Sequence, residues 1–158
     1  DINVTSDYHN ALFDDIFLLI NTTSRSQREA LLKKLNVSWK KMESFSVNDI
    51  SDDIAKGNLT VGGSVGKYAL RAGSRLFIEP NFIIKNDFPS HISNNRRNDL
   101  FLEVGYIYQD TTSIIIPDGY KVEHMPDDVE LSSAIGHYSL SYTSSDDMIT
   151  INRRVVIN

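Results

Sequence analysis

Not one cysteine occurs in the 158 residues, which removes disulfides, thiolate nucleophiles and Cys-ligated zinc together. Long apolar runs are missing too. The longest, Ile16 to Ile20, falls far short of the ~20 residues a helix needs to span a bilayer, and no charged-then-apolar leader opens the chain. The expectation is a soluble chain without a membrane span, a fragment or processed product whose export signal, if any, lay upstream of Asp1. Positive charge is in the minority as well. With 16 Lys and Arg against 21 Asp and Glu the net charge is -5, so a phosphate-neutralising surface for nucleic acid is not expected.

Catalytic and metal-binding patterns are equally scarce. No Gly-X-Ser-X-Gly elbow is present, which weighs against a small Ser–His hydrolase. Gly62–Gly63–Ser64–Val65–Gly66–Lys67 invites a phosphate-loop reading, but only three residues separate Gly62 from Gly66, and Tyr68 stands where Ser or Thr is required. A glycine-marked bulge in a sheet fits better. His9, His91, His124 and His137 lack metal-site spacing. Asp52–Asp53, Asp127–Asp128 and Asp146–Asp147 read as solvated turns rather than a calcium cluster, because no EF-type ligand spacing accompanies them. Asn3, Asn21, Asn36 and Asn58 open Asn-X-Ser/Thr triplets, which matter only in a host with that glycan pathway.

What remains is pattern. At 41% hydrophobic and 23% charged, the chain has ordinary globular composition and enough length for a self-sufficient core. Ile2 and Val4 alternate with polar neighbours as a short strand. Ala11 to Ile20 shifts to helical spacing, with Leu12, Ile16 and Leu19 on one face and Phe13, Phe17 and Ile20 beside it. A second helix is expected at Ser26–Gln27–Arg28–Glu29, with Ser26 and Glu29 as a capping box and Leu31, Leu32 and Leu35 buried. Strand-like composition follows from Trp39 to Asn48, interrupted at Lys40 and Lys41. Leu59, Val61, Gly63 and Val65 share one parity, and Leu76 and Ile78 begin a run ended by Pro80.

A polar stretch from Asn86 to Asp99 is the best boundary. Beyond it Leu100, Leu102, Val104, Tyr106 and Tyr108 alternate strictly. Further strands are expected at Tyr120–Val122, Val129–Leu131, Tyr138–Tyr142 and Ile149–Ile157, with turns at Pro117–Asp118–Gly119, Pro126–Asp127–Asp128 and Ser144–Asp147. Tyr106, Tyr108, Tyr138 and Tyr142 are expected in the core with hydroxyls at its rim rather than as a sugar platform. Arg153 shares parity with Ile149 and Ile151, so it needs a carboxylate partner or a sheet-edge position.

The ordered set Ile116–Pro117–Asp118–Gly119–Tyr120, Met125–Pro126, Gly136–His137–Tyr138 and Ile149–Thr150–Ile151–Asn152–Arg153 resembles the domain of unknown function that follows the transglutaminase-like core in large exported proteins of Bacteroidetes-type bacteria. The first half, including Gly73–Ser74–Arg75–Leu76–Phe77–Ile78, is similar to the segment joining core and domain. This resemblance implies an upstream papain-like core using Cys, His and Asp, and an extracytoplasmic location in the periplasm or at the cell surface. None of those catalytic positions falls in this chain.

The reading that results is a mainly β protein, α+β by content: an antiparallel β-sandwich-like module with two short N-terminal helices. Residues 1–88 form a mixed segment and 89–158 an antiparallel β module, with one joint domain as the alternative. The expected role is a non-catalytic accessory or interaction module, with no catalytic or metal-ligating residue and no cofactor. Its expected partner is the upstream core of the same polypeptide, with a protein or glycan ligand in addition. The alternative is a carbohydrate- or cell-surface-binding β-sandwich.

Overall fold

Alternation written into the sequence becomes a two-faced sheet. In the computed structural model, which describes residues 1–23, 25–27, 29, 39–66, 68–79, 97 and 105–158, β1 (Ile2–Asn10) buries Ile2, Val4, Ser6 and Tyr8 and turns Asn3 and Thr5 outward. Six more strands extend it: β2 (Trp39–Asp49), β3 (Lys56–Val65), β6 (Tyr106–Ile115), β7 (Val129–Ser133), β8 (Gly136–Ser144) and β9 (Met148–Ile157). Their order is β2-β3-β1-β6-β9-β8-β7, with every neighbouring pair antiparallel. A hairpin of β4 (Leu70–Ala72) and β5 (Arg75–Phe77) makes a separate two-stranded sheet. The mainly β, antiparallel expectation holds.

Strands from both sides of the expected boundary at residues 88 and 89 share this sheet. β1 lies between β3 and β6, and one buried cluster joins Ile2, Val4, Leu59 and Val61 to Tyr108, Ile114 and Ile151. The boundary itself, and the alternating residues Leu100, Leu102 and Val104, lie outside the described residues. So do Leu31, Leu32 and Leu35 of the expected second helix.

Register places like with like. One row on the covered face runs Val47, Leu59, Ser6, Asp110, Arg153, Leu140 and Val129 across all seven strands. On the opposite face a row of Ser46, Thr60, Thr5, Thr111, Asn152 and Ser141 crosses six strands, with Thr111 donating to Asn152 Oδ1 at 2.9 Å. Small hydroxyl and amide residues suit a solvent-facing sheet, because cross-strand polar pairs replace apolar burial there.

Helix α1 (Phe13–Ile20) covers the β2–β3–β1 end of the apolar face, burying Phe13, Ile16 and Leu19. Full burial of such side chains contributes on the order of 1.5–3 kcal/mol each as an upper bound. Gly57 makes this approach possible, since a Cβ there would sit 2.3 Å from Ile16 Cδ1. Asp14 and Asp15 occupy the helix's first turn, where the macrodipole favours negative charge. After it the chain is helical at 25–27 and 29, but the cap is not Ser26. Thr23 Oγ1 accepts the Ser26 amide at 3.4 Å, and Glu29 pairs with Arg25 at 3.1 Å, so the helix starts about a turn earlier than the Ser26–Glu29 box implies.

Two glycine positions have steric causes. Register shifts in the β2–β3 pairing occur where Trp39 and Lys41, then Met42 and Ser44, face Val65 to Gly62, so the Gly62–Gly66 run marks bulged sheet as expected. At Gly63, with φ +155, an added Cβ would lie 2.1 Å from the Lys41 carbonyl oxygen. Gly119, at φ 81, occupies the third position of a turn closed by the Tyr120 amide donating to Pro117 O at 3.1 Å, which is type II chemistry.

Candidate functional site

The centre of the covered face is polar. Asp110, on the middle strand β6, is buried with an exposure of 5%, and Arg153 on β9 donates to it through Nε at 2.7 Å. Parity alone led to the demand for such a partner, and register supplies it: Asp110 and Arg153 are directly opposed. Arg153 Nη2 also reaches the Tyr108 hydroxyl at 3.4 Å, and its guanidinium carbon lies 5.2 Å from the Tyr108 ring centroid. Tyr8 meets Tyr108 edge-on at 5.5 Å between centroids.

These groups perturb one another. Burial pushes the Asp110 carboxyl above the usual carboxylate value, while the Arg153 charge and the hydroxyls of Tyr108 and Thr112 pull it back. Burial likewise drives the phenols of Tyr8 and Tyr108 far above their ordinary value, with the neighbouring carboxylate adding to the rise. Ser6 Oγ sits fully buried beside the Tyr108 hydroxyl without reaching hydrogen-bond geometry. The expected rim position of the tyrosine hydroxyls therefore fails for Tyr108, whose OH belongs to the buried cluster. The cluster is a buried polar centre. Side chains only 6% and 13% exposed offer a substrate little approach.

Beside it the apolar face opens into a groove of about 380 Å³. Its floor is Ile114, Ile149, Ile151 and Tyr142, and its walls come from β5 with Ile78 on one side and the 116–126 segment on the other. The strand expected at Tyr120–Val122 does not form; residues 120–128 are irregular, and 120–126 line the groove instead. Arg75 grips Glu123 in a bidentate pair, at 2.8 Å through Nε and 2.6 Å through Nη2, so the two walls are tied together. That carboxylate raises the Arg75 pKa, chiefly by hydrogen bonding. Sequence reasoning missed this groove, because an apolar residue in an irregular segment looks like one in a strand.

A third constellation lies on the polar face. Ser132 Oγ is 3.0 Å from His137 Nδ1, and His137 Nε2 is 3.7 Å from Glu130 Oε1. This is the residue set of a hydrolytic triad, produced by cross-strand pairing of β7 and β8. It lacks the setting. All five β7 residues are exposed, and side chains stand perpendicular to the sheet while ladder N–H groups lie in its plane, so the ladder's amides do not converge on an oxyanion above Ser132.

The remaining sequence candidates behave as turns and surface groups. Asp52 accepts the Ile54 amide at 3.3 Å, Asp128 the Tyr142 amide at 3.0 Å, and Asp147 the Ser145 hydroxyl at 2.8 Å. Among the described residues no three His, Asp or Glu side chains group as metal ligands. His9 and His137 lie on the polar face and His124 at the groove; His91 is outside the described residues. Trp39 is half-buried and packs against the core. No helix among the described residues is long and apolar enough to cross a membrane.

Residues 74–158 match the model of a family described as a domain of unknown function with a solved structure (DUF3858), a match that covers more than half of the chain. Comparison with the curated proteins and with the solved structures finds no match.

Proposed function

The chain belongs to the DUF3858 family, and from that premise we propose that it is a non-catalytic accessory or interaction module acting beside a transglutaminase-like core in the same exported polypeptide. The observation that carries this reading is the use made of its reactive groups. Asp110 and Arg153 neutralise each other on the covered face beside Tyr108 and Tyr8, and the Ser132–His137–Glu130 set is built on the fully exposed strand β7 and its neighbour β8. The ordered motifs from Ile116 to Arg153 support the link to a Cys, His and Asp core, and with it an extracytoplasmic setting.

The test is physical association. The reading frame upstream of Asp1 is expected to encode such a core, and hydrogen exchange of the whole polypeptide against this chain alone should show added protection on part of this module's surface. A frame without that core, or identical exchange in both forms, contradicts the proposal.

A further inference from the structure

We propose that the groove between β5 and the 116–126 segment binds a single-chain amphiphilic carboxylate, apolar tail on the floor and carboxylate at the mouth. This goes beyond the accessory role and does not depend on a core preceding the chain. The groove's exposure changes with depth, and its charged groups stand at the exposed level. Ile114 and Ile151 at the floor are 5% and 3% exposed, while Phe77, Tyr120, Lys121 and His124 at the mouth are exposed. At about 380 Å³ it lies near the low end of the ~300–1,000 Å³ found for small-molecule sites, and its lining has the expected form, mostly apolar with a few polar groups.

Charge selects the head group. Glu123 is neutralised by Arg75, whereas Lys121 makes no ion pair among the described residues, so the mouth carries surplus positive charge on a chain of net charge -5. A monoanion is complementary to that mouth and a cation is not. The Arg75–Glu123 clasp holds the two walls in place, which limits the ordering cost of binding.

Calorimetry with octanoate, decanoate and dodecanoate below their aggregation concentrations tests this on the intact chain. Affinity should rise about fourfold per methylene, and decyltrimethylammonium should bind more weakly than decanoate. Lys121→Glu should weaken decanoate about tenfold while leaving decanol unchanged, and Met125→Trp, which fills the groove from its wall, should weaken both. Thermal unfolding of each variant verifies the fold. No heat of binding, equal affinity for the cationic amphiphile, or indifference to Lys121→Glu would overturn the assignment.

Discussion

Removing one partner of the Asp110–Arg153 pair is the sharpest perturbation the fold offers. With side chains 6% and 13% exposed, neither charge can recover its hydration where it stands. Asp110→Asn removes the carboxylate to which Arg153 Nε donates at 2.7 Å, and losing one member of such a pair costs about 3–5 kcal/mol. For a domain of this size each kcal/mol moves Tm by about 2–4 °C, so the expected drop is roughly 6–20 °C. Asp110→Leu with Arg153→Met removes both charges and should return stability to within about 1 kcal/mol of the parent.

Acid separates the two single variants. The Asp110 carboxyl is raised by burial, and Arg153→Met removes the charge that holds it down. A carboxyl with a raised folded pKa binds its proton more readily in the fold than in the unfolded chain, so stability falls as pH rises through that window and is regained on acidification. The penalty of Arg153→Met should therefore shrink as pH falls below neutrality, while that of Asp110→Asn persists because Arg153 stays charged. Calorimetric unfolding from pH 4 to 8 reads both. Additive single and double effects, or singles within about 1 °C of the parent, would refute the role given to the pair.

Ser6→Ala deletes a buried hydroxyl that has no hydrogen-bond partner, so it should stabilise by about 1 kcal/mol in denaturant titration; a loss of similar size would mean the hydroxyl is satisfied. Gly63→Ala should cost about 1–3 kcal/mol because its Cβ meets backbone, whereas Gly66→Ala, whose Cβ meets only the Lys40 side chain, should be nearly neutral. The His9 imidazole is held below its ordinary value by partial burial, with Lys56 adding repulsion that Asp7 only partly offsets. NMR titration should find it moved up by Lys56→Gln and down by Asp7→Asn. Because the fold favours the neutral ring, its contribution to stability is lost as pH falls through the ordinary histidine range toward the lower folded value.

Where a strand alternates cleanly its face was legible in the sequence, as in β1, β8 and β9. β6 was harder. Its core-facing positions include Asp110 and Thr112, so the polar run from Gln109 to Ser113 hides a central strand behind surface-like composition. Arg153 carries the compensating signal: an odd residue in an apolar parity implies a buried partner, though not which one. The strand order could not be read, because β1 pairs with β3 and β6 rather than its chain neighbour β2, through contacts that leave no local pattern. The groove was hidden for a related reason. Pro117–Gly119 announces a turn but not whether a strand follows it.

Turnover by this chain is the most direct test of its central assignment as a non-catalytic module. Incubated with an activated ester, an unstructured peptide and a glutamine donor with an amine acceptor, it should give rates equal to buffer, and Ser132→Ala and His137→Ala should leave those rates unchanged. Hydrolysis or crosslinking above buffer that either substitution abolishes would contradict the account.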